Sequence, residues 1–293
     1  MKNFYLWVRI TNLKEKMLTK ERDVLRIAII DLYNGEPNEG IRCIKDLIRN
    51  FSHESDQEII SETFAIRSEL DVPDLSFDIY ISSGGPGSPL ETKGMAWDTK
   101  YFELIDSIEA WNKLEHTQKK YVFFICHSFQ MICRHYDFAE ISLRQPSSYG
   151  IFPVDLLEKG HEEAIFERLP DPFYVADFRL YQVIRPNLEL VKKRGYSILV
   201  QEFEPASGTQ DKAITAVRFS EYFIGTQFHP EADPAGMLVH FRGAKKQPIL
   251  DNVGKAAYDN MMNHLEDPDK IARTRDTVIP NFLRLASNQL VLV

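Results

Sequence analysis

The run Tyr121–Ile125 (YVFFI) is wholly apolar and ends directly on Cys126, His127 and Ser128. Ordinary strands end on turn residues; this one ends on a thiol, an imidazole and a hydroxyl. From Ser128 to Phe138 the spacing of Met131, Ile132, His135 and Phe138 is helical, so Cys126 is expected at a strand-to-helix joint. The dipole and free N–H groups of a helix's first turn favour thiolate over thiol, which makes such a cysteine a usable nucleophile. The competing reading is a small hydrophobe filling a tight joint, since free cysteines are among the most buried residues. Cys133, further along the same helix, is expected in the core.

A cysteine nucleophile needs a base within hydrogen-bond reach and a third group to orient that base. A second apolar run, YFIGTQFHPE (Tyr222–Glu231), ends in His229, Pro230 and Glu231. Pro230 fixes its own φ and removes a donor, so the chain turns off the sheet there and can leave His229 and Glu231 facing one cleft. Taken alone, His229 reads more readily as a satisfied surface histidine at a strand end than as a catalytic base. A third run, YISSGGPGSP (Tyr80–Pro89), passes straight into Gly84, Gly85, Pro86 and Gly87. Glycines allow a close backbone approach, so this loop can aim N–H groups at a developing negative charge, unless it is an ordinary βα turn.

The elements that must carry these loops alternate along the chain. Strands are expected at Arg26–Leu32, Glu58–Phe64, Phe77–Ser82, Tyr121–Ile125, Ser197–Glu202, Ala213–Phe219 and Tyr222–Gln227. Between them, apolar positions 41, 44, 47, 48 and 51, and then Tyr101, Leu104, Ile105, Ile108 and Trp111, follow a helical period. This alternation predicts an α/β fold with an open, mostly parallel central sheet flanked by helices, where ligands bind beyond the carboxyl ends of the strands. Residues 142–195 are richer in Pro and Asp and are expected to form a smaller antiparallel addition or long loops. The expected organisation is an N-terminal extension over 1–24, one domain over 25–238 and a helical C-terminal extension over 239–293. In that tail, helices are expected near Asn252–Leu265 and Pro280–Leu290, covering a sheet edge or pairing two copies into a homodimer.

Composition narrows the function classes. Of 293 residues, 44% are apolar and 12% aromatic, enough for a sizeable core. The formal charge of −8 is spread along the chain with no basic block, which argues against nucleic acid as a partner. No run approaches the roughly 20 apolar residues needed to span a membrane. Phe4–Val8, broken by Arg9, is too short for a signal-peptide core. The three cysteines, Cys43, Cys126 and Cys133, form neither a disulfide framework nor a zinc pattern and fit a reduced, cytoplasmic compartment. No metal or organic cofactor is implied, since no strand ends in a dinucleotide or Walker-type loop.

Together, in this chain order, the three motifs resemble the class I glutamine amidotransferase domain, particularly its stand-alone, GMP synthase-like members. That family carries an oxyanion loop Ser-x-Gly-Pro-Gly-x-Pro, an elbow Gly-x-Cys-x-Gly-x-Gln and a Phe-His-Pro-Glu segment. Here they read Ser83–Pro89 (SGGPGSP), Phe124–Gln130 (FICHSFQ) and Phe228–Glu231 (FHPE), within a match over about residues 25–235. The resemblance implies a flavodoxin-like sheet and a glutamine-hydrolysing site. Cys126 would attack the side-chain amide of glutamine to form a γ-glutamyl thioester. His229, oriented by Glu231, would take the thiol proton and protonate the departing ammonia. The N–H groups of Gly85 and His127, in a loop shaped by Gly84 and Gly87, would hold the oxyanion, and Gln130 would sit beside the substrate. Ammonia would pass to a separate synthetase chain or be released. Two departures stand out: Phe124 and Ser128 replace the elbow glycines, and a His-x-Asp pair common in the family falls on Arg179 and Tyr181, so substrate contacts there differ. The alternatives are a gamma-glutamyl hydrolase or homoserine-acyltransferase-like enzyme using the same triad, and an inactive binding module of the same fold.

Overall fold

A computed structural model describes residues 24–115, 117–205, 210–243 and 245–291. Of the expected N-terminal extension, only Val24, the first residue of β1, lies within them. The strands are β1 (Val24–Asp31), β2 (Glu58–Ala65), β3 (Ile79–Ser82), β4 (Tyr121–Ile125), β5 (Ala139–Leu156), β6 (Phe173–Pro186), β7 (Ser197–Glu202), β8 (Ile214–Arg218) and β9 (Phe223–Thr226). They form one sheet in the order β2-β1-β3-β4-β9-β8-β7-β5-β6. Parallel pairing runs from β2 through β9, and every pairing from β9 to β6 is antiparallel. The open sheet flanked by helices is therefore present as a mixed one. The antiparallel addition expected over 142–195 is a hairpin of two long strands that extends this sheet at one edge, β5 pairing with β7 and β6 lying outermost.

The principal helices are α1 (Gly40–Glu54), α2 (Ala96–Asn112), α3 (His127–His135), α4 (Leu188–Arg194), α5 (Pro234–Arg242), α6 (Lys246–Glu266) and α7 (Arg273–Val291). Alternation along the strands divides the core. Leu25, Ile27, Ile29, Tyr121, Phe123 and Ile125 meet α1 and α7 on one face. Ala28, Ile30, Val122 and Phe124 meet α2 and α3 on the other. All five β4 residues are buried, as a central strand covered on both sides must be. A third cluster packs α5 and α6 onto the β5–β6 hairpin through Ile151, Ala176, Phe241, Ile249 and Tyr258.

The C-terminal helix begins earlier than its sequence predicts. Pro280 suits a first turn, yet it lies inside α7. Val278 and Ile279 before it and Phe282 and Leu283 after it are buried against the sheet, and that burial outweighs one missing N–H. Phe282 packs edge-on against Phe123 of β4 with ring centroids 5.1 Å apart. The expected tail thus covers a sheet face rather than an edge. No helix among the described residues is long and apolar enough to cross a membrane.

Candidate active site

β3, β4 and β9 are neighbours in the sheet, so the three loops singled out in the sequence leave it side by side. Cys126 stands between β4 and α3 with φ 50° and ψ −98°, a conformation costly for any residue with a Cβ. The surroundings hold it there. Its N–H donates to the Thr226 carbonyl on β9 (2.8 Å), and its own carbonyl accepts from Gln130 N–H (3.0 Å).

Both departures from the family elbow have local explanations. Ser128 is fully buried, and its Oγ accepts the Ile125 N–H (2.8 Å) while its hydroxyl faces the carbonyls of Ser82 (2.9 Å) and Ile125 (3.0 Å). It therefore ties the elbow to β3. Phe124 points into the opposite core face, against Phe219 and Phe223. Room for it comes from Gly225, its partner on β9, where a Cβ would lie 3.0 Å from that of Phe124.

His229 is anchored by its N–H to the Ala176 carbonyl (2.9 Å), and its Nδ1 lies 2.8 Å from Glu231 Oε1. A Cβ built on Gly84 would stand 2.8 Å from His229 Cε1 and 3.6 Å from Cys126 Cβ, so thiol and imidazole flank one glycine. A bulkier residue there would separate them. Burial alone would push the imidazole down, but the Glu231 carboxylate and the neighbouring Cys126 outweigh it and hold the group well above its ordinary value. The arrangement can store a proton on His229 next to the sulfur. The other two thiols are held protonated: burial, chiefly, pushes Cys43 up to about 11 and raises Cys133 well above its usual value.

The remaining expected residues divide. Gly85 is packed so tightly that a Cβ would meet the Leu32 carbonyl oxygen at 2.4 Å, and it lines the cavity with Cys126 and His229. Gly87 takes φ 93° and faces Arg67 rather than the thiol. The His127 side chain turns inward, where burial first, then Arg67 and Arg134, push it down to about 3, so it is neutral. Gln130 is also buried, donating to Gln227 Oε1 (3.1 Å) and to the Tyr181 carbonyl (3.2 Å), one side chain removed from the sulfur. Arg179 is not in the cavity lining; its guanidinium is enclosed and paired with Asp177 (2.9 Å) and Glu202.

Three residues went unread in the sequence. Gln227, the residue just past β9, places its amide 3.6 Å from Cys126 Sγ. Tyr33 lines the cavity, and burial, followed by Glu231 and Cys126, raises its phenol well above the ordinary value, keeping it a donor. Arg67 donates to the carbonyls of Leu32 (3.0 Å) and Pro86 (2.7 Å), clamping the glycine loop to the end of β1. Nothing local in the sequence marks it.

This geometry defines a flavodoxin-like α/β protein with a cysteine at a strained strand-to-helix elbow and an imidazole at the next strand end. The sequence matches the family model for class-I glutamine amidotransferases over residues 41–240, and the chain belongs to that family. Solved structures agree on the fold. A glutamine amidotransferase from Thermotoga maritima superposes with a TM-score of 0.63 at 14% identity, covering 89% of this chain and 98% of that one. One from Methylobacillus flagellatus gives 0.53 at 14%, covering 92% and 93%. The glutaminase domain of Trypanosoma brucei CTPS, with bound acivicin, gives 0.50 at 14%, covering 71% and 86%. No curated protein sequence matches significantly.

Proposed function

We propose that the protein hydrolyses the side-chain amide of glutamine through a cysteinyl thioester, with Cys126 as nucleophile, His229 as general base and acid, and Glu231 as the group that orients it. The observation carrying this reading is that the strained Cys126, the Glu231-bound imidazole of His229 and the Gly85 backbone converge on one cavity. In the first step Cys126 Sγ bonds to the amide carbon, its proton passes to His229, and ammonia leaves carrying that proton. The N–H groups of Gly85 and His127 take the negative charge on oxygen. Water then splits the thioester, giving glutamate and the free thiol. The ammonia goes to a separate synthetase chain or is released. Three unpaired cysteines fit catalysis in the reducing cytoplasm.

The test is glutamine hydrolysis by the wild type and by Cys126→Ala. Activity in the first, reduced by about 1000-fold or more in the second, is expected. A diazo-ketone analogue of glutamine should form an adduct on Cys126 of the folded wild type. Inactivity of both proteins together with an unlabelled Cys126 would reject the reading in favour of a binding module.

A further inference from the structure

The cavity holding Cys126 and His229 has a volume of about 990 Å³, near the upper end of the roughly 300–1,000 Å³ of pockets for drug-sized ligands. Glutamine has ten non-hydrogen atoms and fills a small part of it. Chemistry decides which end the remainder serves. The nitrogen that leaves must take its proton from His229, so whatever that nitrogen carries extends to the imidazole side of the sulfur. Within a lining that also includes Arg42, Asp233 and Lys245, an apolar patch stands beside the imidazole: Phe178 lies 6.3 Å from the His229 ring, with Tyr149 (4.8 Å) and Phe241 (6.2 Å) edge-on against Phe178, and Met237 is also in the lining. Phe178, Tyr149 and Met237 remain partly exposed to the cavity. Departing ammonia carries no carbon and gains nothing from three aromatic rings and a thioether.

We infer that the preferred substrate is an N-substituted γ-glutamyl amide whose amine bears an apolar, ring-sized group, seated between Tyr149, Phe178, Met237 and Phe241. The inference rests on the thioester mechanism proposed above and specifies its leaving group. Cys126 Sγ bonds to the γ-carbonyl carbon, the C–N bond breaks, His229 passes its proton to the nitrogen, and a primary amine departs in place of ammonia. Water discharges the thioester as before, so the products are glutamate and the amine.

The full chain is assayed for glutamate release from γ-glutamyl-benzylamide, γ-glutamyl-methylamide and glutamine, whose leaving nitrogens are all alkaline amines. Expected is a kcat/KM for the benzylamide at least about 10-fold above that for the methylamide, as buried apolar area at a reacting site gives. Phe178→Ala, and independently Met237→Asp on the half-exposed side of α5, should each cut that ratio about 10-fold or more. A ratio of one or less in the wild type, or glutamine preferred over both amides, overturns the inference and leaves glutamine hydrolysis intact. No glutamate from any of the three, with no diazo-ketone adduct on Cys126, overturns it together with the mechanism it rests on.

Discussion

At the scale of single residues, the site depends on where His229 keeps its proton. Burial works against the charged imidazole, and Glu231 and then Cys126 more than reverse it, so its value in the folded protein is raised. A raised group of this kind supports the fold fully below its unfolded value of about 6.5, and the support is lost as pH climbs through the folded value. Glu231→Gln removes the larger of the two charges that hold the proton. The alkaline limb of kcat/KM against pH for glutamine hydrolysis should move to lower pH, and kcat should fall by about 100- to 10,000-fold, the range in which an orienting carboxylate acts. An alkaline limb that stays in place would show that Glu231 does not govern the imidazole.

At the scale of elements, the oxyanion loop is positioned from outside itself. Arg67, on the single helical turn Ile66–Glu69 after β2, reaches the Leu32 and Pro86 carbonyls and stacks its guanidinium 4.7 Å from the Trp97 ring centroid. Gly85, pressed on the Leu32 carbonyl, is thereby held between β1 and the loop. Replacing Arg67 by Met keeps the stem and removes both hydrogen bonds. Turnover of glutamine should drop about 10- to 100-fold with KM little changed, less than the loss of an oxyanion donor itself because the N–H groups remain. Alkylation of Cys126 by iodoacetamide, which needs no oxyanion loop, should keep its wild-type rate. A parallel loss of alkylation would mean that the whole elbow had collapsed.

Across the whole molecule, the C-terminal helix is part of the core that supports β4. Val278, Ile279, Phe282 and Leu283 sit in the same cluster as Phe123 and Ile125, the residues just ahead of Cys126. Phe282→Ala should lower unfolding free energy by about 3–5 kcal/mol, read as a lower urea midpoint with the slope unchanged. Removing residues 273–293 would expose the part of that sheet face that α7 covers, and loss of cooperative unfolding is expected. A truncated chain that unfolds with the full-length midpoint would contradict this packing.

The amino-acid sequence alone determined the alternation of strands and helices over the parallel half, because two-sided burial writes continuous apolar runs such as YVFFI. It also carried the three loop motifs, since nucleophile, base and glycine loop each end a strand and are local in the chain. Less legible was the β5–β6 hairpin: AEISLRQPSSYGIFPVDL is half-exposed and interrupted by Pro146, Gly150 and Pro153, so no period stands out. Only the tertiary structure decided that β3, β4 and β9 are adjacent, that Ser128 braces the elbow across to Ser82, and that Arg67 grips a loop far from it in sequence. Strand order and side-chain reach depend on how distant segments pack. No window of residues records them, whereas burial period and turn chemistry are written residue by residue.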